Sequence, residues 1–153
     1  MSDLLAIKEA LVGKFGCAAD KVTTPRERRV FAEAPAGRFR DVFDHAVREM
    51  GFDWLCTITG LDDKETLVAM YHLSHADGTV LSLKNRVSRD RPVIGTVTDM
   101  FPGAANYERE LVDLLGFEVE GLPPGNRYPL PDGWPTDQHP LRKDWQPQKK
   151  ADP

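Results

Sequence analysis

The strongest constraint on this chain is the alternation that starts at Phe52 and runs to Val87. Successive side chains of a strand point to opposite faces, so a sustained period of two marks strands and not helices. In the first run, Trp54, Cys56 and Ile58 are expected on one face and Leu55, Thr57 and Thr59 on the other. A polar turn, Asp62-Asp63-Lys64, ends it. Leu67, Ala69, Tyr71 and Leu73 then alternate with Val68, Met70 and His72. Asp77-Gly78 is a strong hairpin dipeptide, because both residues tolerate the left-handed conformations of a tight turn. The third run, Val80 to Val87, puts Ser82, Lys84 and Arg86 on a wet face. The expectation is an antiparallel meander of three strands.

The flanking pattern has the helical period. Leu4, Ile7, Leu11, Val12 and Phe15 form an apolar stripe, with Ser2 placed to cap its start and Gly16 to end it. A short strand is expected over Val30 to Ala34. Phe39, Val42, Phe43, Ala46, Val47 and Met50 follow the spacing of a second helix, with Gly51 at its left-handed stop. After the loop PVIGTVTDMFPG, the spacing predicts a third helix over about Ala104 to Leu115, closed by Gly116. The fold class that follows is α+β: a two-layer domain with helices packed on a mainly antiparallel sheet.

Beyond Phe117 the composition changes. Eight of the twelve prolines lie between Pro123 and Pro153. Proline lacks an amide donor and fixes φ, so this stretch cannot be a long helix or a central strand. It also carries Tyr128, Leu130, Trp134, Leu141 and Trp145, which are costly to leave in water. An extended segment with aromatic anchors suits lying along a surface, of its own domain or of a partner. The expected organisation is a globular α+β domain over 1–117 and an extended proline-rich docking tail over 118–153.

Several function classes drop out. The 153 residues leave room for one domain and a tail. A formal charge of −4 offers no basic excess for a phosphate backbone, so no nucleic-acid partner is expected. No apolar stretch approaches the ~20 residues of a bilayer span. The start, MSDLLAIKEALVGKF, has no basic n-region and is not expected to be a secretory signal. Cys17 and Cys56, far apart and with no CxxC, exclude a disulfide framework, a cysteine zinc site and a self-contained iron–sulfur cluster. A reducing, cytoplasmic setting is the simplest reading. His72 and His75 are three apart on a strand pattern, which makes a poor metal pair. Asp41 and Asp44 read as a solvated helix face. Asp62, Asp63 and Glu65 lack the glycine and terminal glutamate of an EF-hand loop. There is no GxGxxG, P-loop, GxSxG or HExxH. No residue stands out as catalytic or metal-ligating.

Two charged segments remain, Tyr107 to Phe117 and His139 to Trp145. Taken alone they read as a solvated helix face with one weak ion pair, Arg109 with Asp113, and a polar tail. Together, ERE-x-x-D-x-x-G at Glu108 to Gly116 and HPLRKDW at His139 to Trp145 resemble the 30 kDa subunit of respiratory complex I, the NADH:quinone oxidoreductase. The same family occurs in energy-converting membrane-bound nickel–iron hydrogenases of the formate hydrogenlyase type. The resemblance covers most of the chain. It departs at Gly121 to Arg127, where Leu122 replaces the usual histidine and one arginine of a run remains. The segment from Arg127 to Pro135 looks more like the hydrogenase branch.

The resemblance implies a non-catalytic accessory subunit of a complex-I-like redox assembly, leaning to the hydrogenase type, with complex I proper as the alternative. It implies no cofactor in this chain; iron–sulfur clusters, flavin or a nickel–iron centre belong to partner subunits. The implied partners are the large subunit, of the quinone-site or nickel–iron type, and a neighbouring iron–sulfur subunit. The implied location is peripheral, on the cytoplasmic face of the inner membrane. Its partner-docking residues would be Tyr107, Glu108, Arg109, Glu110, Asp113, Phe117, Trp134, His139, Arg142, Lys143, Asp144 and Trp145. Arg142 is expected to pair with a carboxylate, on the partner or at Glu108, Glu110 or Asp113, and the tail to order on the partner. Two other classes stand beside this: a small-molecule enzyme built on His72, and a free peptide-binding module that adds a strand to a sheet edge.

Overall fold

The structure is a computed structural model that describes residues 4–147; Ser2, the expected first cap, lies outside them. It is an α+β fold in which three helices cover one face of a five-stranded sheet. The strands are β1 (Thr23–Arg26), β2 (Arg29–Glu33), β3 (Trp54–Asp62), β4 (Thr66–Ser74) and β5 (Val80–Ser88), in the spatial order β1-β2-β5-β4-β3. The expected meander is β3-β4-β5. The expected short strand, β2, adds beside β5 in parallel, so Val30 lies opposite Leu81 and Ala32 opposite Leu83. β1, with Pro25 and four exposed residues, is the guarded edge.

Helix α1 (Leu4–Glu9) continues as a wider helical turn over Ala10–Lys14 and stops at Gly16, whose φ is +70°. Helix α2 (Phe39–Arg48) buries Phe39, Val42, Phe43 and Ala46 on the sheet. Tyr71, at the centre of β4, meets Phe39 at 4.6 Å and the edge of Phe43 at 5.5 Å between ring centroids. Such pairs add to burial because the positive ring edge meets the negative ring face. Helix α3 (Ala104–Leu115) packs over β3. It is also the crossover between two short parallel strands, β6 (Val93–Gly95) and β7 (Glu118–Glu120). The first of these lies inside what the sequence reads as loop.

The facing of β3 differs from the simple alternation. The register with β4 shifts between Leu55 and Thr57. A bulge there inserts Cys56 as an extra residue and reverses the phase beyond it. Ile58, Gly60 and Asp62 then turn toward the helices, while Trp54, Cys56, Thr59 and Leu61 are exposed. Gly60 is where α3 comes closest. A β-carbon at this position would sit 2.3 Å from Leu115 Cδ1 and 2.7 Å from Leu111 Cδ2. Gly60→Ala should therefore lower stability by about 1–3 kcal/mol, the usual cost of overpacking a closed core. Urea unfolding monitored by circular dichroism measures it.

Candidate functional site

The last carbonyls of a helix have no partner within the helix and must find one outside it. In α3 those carbonyls organise the tail. Gly116, at φ +75°, sends its N–H to the Val112 carbonyl at 3.0 Å, and Phe117 sends its N–H to Leu111 at 3.3 Å. The next three carbonyls are taken by a segment 26 or 27 residues further along the chain. His139 Nδ1 donates to the Asp113 carbonyl at 2.9 Å, Leu141 N–H to Leu114 at 3.0 Å, and Arg142 Nε to Leu115 at 2.7 Å. A guanidinium also complements the negative end of the helix dipole. The two signature segments thus meet in one structure, and the tail is seated on its own domain. Gly116 is the floor of this seat: a β-carbon there would lie 2.6 Å from the His139 ring and 2.9 Å from Arg142 Nη2.

Side chains reinforce the seat. Asp113 is buried, and its two oxygens accept Arg127 Nε at 2.7 Å and the Leu130 N–H at 3.0 Å. Arg109 donates to the Pro123 carbonyl at 3.0 Å and to Asn106 at 3.3 Å. Arg109 and Asp113, expected to pair along the helix, are each drawn to the tail instead. The Arg109 guanidinium lies so close to Gly125 that a β-carbon there would meet Nη2 at 2.3 Å. Trp134 donates to the Gln138 carbonyl at 2.9 Å, Trp145 to the Gln138 side chain at 3.3 Å, and the two indoles are 6.0 Å apart. Between α3 and the 122–128 arch remains a cleft of about 430 Å³.

The other expected residues are placed as follows. Glu108 is fully buried, accepting the Val97 N–H at 2.7 Å and the Thr96 hydroxyl at 2.6 Å. Burial pushes its carboxyl above the ordinary range, against the pull of those two donors. Phe117 is in the core, and Tyr107 donates to the Cys56 carbonyl at 3.3 Å. Glu110 is half-buried. The Lys143 side chain is exposed, and Asp144 pairs with Arg89 at 2.6 Å. Arg142 meets a main-chain carbonyl where a carboxylate partner is expected.

Asp62 completes the arrangement, although its sequence context reads only as a polar turn. Its carboxylate accepts the Lys64 N–H at 2.9 Å, the Lys143 N–H at 2.7 Å and Arg89. Burial alone would push its carboxyl up, but the Arg89 guanidinium and the two amides hold it down at about 2. Its folded value lies below the unfolded one. The contribution, about 2 kcal/mol, is therefore present above the ordinary value of 3.8 and lost as pH falls through about 2. Asp62→Asn should flatten the acid limb of the stability profile in that window, as read by denaturant midpoints against pH.

The pairing of helix end and tail sits within a chain that has known relatives. A profile described as "Respiratory-chain NADH dehydrogenase, 30 Kd subunit" matches residues 32–151. An F(420)H(2) dehydrogenase subunit of Methanosarcina mazei is 33% identical over 147 residues, 94% of this chain and 92% of that protein. Formate hydrogenlyase subunit 5 of Escherichia coli is 35% identical over 96 residues, 60% of this chain and 17% of that longer one. A chain in the solved structure of the membrane-bound sulfane sulfur reductase, an archaeal respiratory membrane complex, superposes with a TM-score of 0.78 at 30% identity, over 93% of this chain and 85% of that one.

Proposed function

The chain belongs to the family of the 30 kDa subunit of respiratory-chain NADH dehydrogenase, and on that premise we propose that it is a non-catalytic subunit that docks on the large subunit of a membrane-associated redox assembly. The observation that carries the proposal is the family match across the domain and the tail together. The relatives named above belong to a dehydrogenase, a formate hydrogenlyase and a sulfane sulfur reductase. A module reused across different electron donors and acceptors fits an assembly role better than a reacting one. No helix among the described residues is long and apolar enough to cross a membrane. Association with the membrane then runs through partner subunits, at the cytoplasmic face.

Two assemblies are favoured by different observations. The Leu130 to Pro135 segment resembles the hydrogenase branch. The near end-to-end match to a dehydrogenase subunit favours an NADH- or F420-type complex. A tag on this chain in its native host separates them. The tagged chain should bring down a large subunit in equal amounts, and the assembly should show either viologen-linked hydrogen evolution or quinone reduction. Purified alone, the chain should carry neither iron nor flavin. A stoichiometric cofactor on the isolated chain, or recovery from the native membrane as a lone polypeptide, would end the proposal.

A further inference from the structure

The two edges of the five-stranded sheet are built differently. β1 is four residues long and carries Pro25 and Arg26, and both proline and long charged side chains discourage further pairing. β3, at the other edge, runs nine residues from Trp54 to Asp62 without a proline, lysine or arginine. Its one charged residue, Asp62, is buried and held by Arg89. The Cys56 bulge interrupts only the start of the strand, and from Thr57 to Asp62 the register with β4 is unbroken. An edge strand presents alternate N–H and C=O groups away from its neighbour. Among the described residues, no main-chain group outside β4 pairs with the main chain of β3. A single side chain does so, the Tyr107 hydroxyl on the Cys56 carbonyl. Helix α3 packs on the inner face of the strand, with Leu111 and Leu115 against Gly60. The tail comes to the strand at its far end, where the Lys143 N–H meets the Asp62 carboxylate.

At the start of the same strand is a cleft of about 420 Å³, between β3 and the loop that leads into α3. Trp54, Leu55, Met100, Phe101, Pro102 and Tyr107 line it, and Asp53 is the one charged residue among the lining. Trp54 is 68% exposed, the most exposed large apolar side chain among the described residues. An indole is costly to leave in water, and tryptophan is enriched where partners bury it. The unpaired edge and the exposed indole are independent features, and they are contiguous along one strand.

We propose that the β3 edge and the Trp54 cleft together receive one extended segment of the large subunit, which adds a strand beside β3 and sets a bulky apolar side chain against Trp54. The inference rests on the reading of the chain as an assembly subunit and adds which edge docks and what it takes. Main-chain chemistry selects the occupant. A helix could fill the cleft but not satisfy the edge, because its own N–H and C=O groups are already paired within it. A second copy fits poorly. A two-fold axis would pair β3 antiparallel with itself. With Ile58 near that axis, the Asp63-Lys64-Glu65 turn of one copy would come to the Trp54 cleft of the other. That turn has no apolar side chain to offer.

Amide hydrogen exchange and thiol labelling test it, on the isolated chain and on the tagged native assembly. Cys17 is buried and Cys56 exposed, so N-ethylmaleimide reports on the edge through Cys56. The expected result is that the outward amides between Thr57 and Leu61 exchange, and Cys56 labels, at least about tenfold more slowly in the assembly than in the isolated chain. Trp54→Ala should weaken recovery of the large subunit at least about tenfold, with the melting curve of the isolated chain unchanged. Unslowed exchange along β3 and full labelling of Cys56 inside an intact assembly would overturn the docking edge and leave the assembly reading standing. Weakened recovery with Trp54→Ala but no slowing of the amides would assign the cleft to a side chain alone and overturn the added strand. Slowing that grows with the concentration of the isolated chain would assign the edge to a second copy and overturn the partner. Absence of any large subunit with the wild-type chain would overturn both readings.

Discussion

Asp113→Ala is expected to destabilise the isolated chain by about 3 kcal/mol, although Asp113 lies in a charged stretch that reads as a solvated helix face. The carboxylate is buried at the end of α3 and accepts Arg127 and the Leu130 N–H. Breaking one side of a buried pair costs about 3–5 kcal/mol, because the other charge is left uncompensated. Arg127 keeps the Trp134 carbonyl, which places the effect at the low end. The loss should not be confined to α3. Residues 127–134 lose their anchor, so near-ultraviolet circular dichroism from Trp134 should fall together with stability. Asp113→Asn should recover part of the loss, since an amide oxygen still accepts the Leu130 N–H but offers no charge to Arg127. A change within a few tenths of a kcal/mol would return Asp113 to the solvated face.

Glu108→Ala should cost about 3 kcal/mol by a different route. Its carboxyl is the acceptor for the Val97 N–H and the Thr96 hydroxyl, tying α3 to the turn that follows β6. Thr96 keeps Thr98 at 2.8 Å, but the Val97 amide is left buried and unpaired. An unsatisfied buried donor costs about 1–3 kcal/mol, and the vacated space adds a cavity cost. The pH dependence has the opposite sign to that of Asp62. Burial raises Glu108 above its ordinary value of 4.5, so the native state holds the proton more tightly than the unfolded chain. Its contribution is complete below 4.5 and is lost as pH rises through the folded value. Glu108→Gln, which keeps the acceptor and removes the titration, should flatten stability over that interval while costing less than alanine.

The two long helices, the meander and the fold class were legible because each rests on a local period or a turn dipeptide. α3 has the bounds expected from Tyr107, Leu111 and Leu115 with Gly116 behind them. What was not legible depends on distance along the chain. The parallel pairing of β2 with β5 joins residues about fifty positions apart, and nothing local in Arg29–Glu33 encodes its neighbour. The Cys56 bulge moves Ile58, Gly60 and Asp62 to the inner face through a single extra residue. That shift also hides Asp62, which sits in what reads as a polar turn. In the seat, the residue types of HPLRKDW are visible in the sequence, but their acceptors are not. Main-chain carbonyls at a helix end are the same for every residue type. Arg142 therefore reads as seeking a carboxylate, while the strongest local acceptors are the bare carbonyls of α3.

With the tail held on the end of α3 by the domain itself, the two signature segments form one unit. Amide hydrogen exchange on the isolated full-length chain tests this most directly at Leu141, whose N–H donates to the Leu114 carbonyl. Leu141 should exchange far more slowly than an unstructured amide, and Asp113→Ala and Gly116→Ala should each speed it up along with Arg142. Exchange of Leu141 at the unstructured rate, with the amides of α3 still protected, would contradict a tail seated on its own domain.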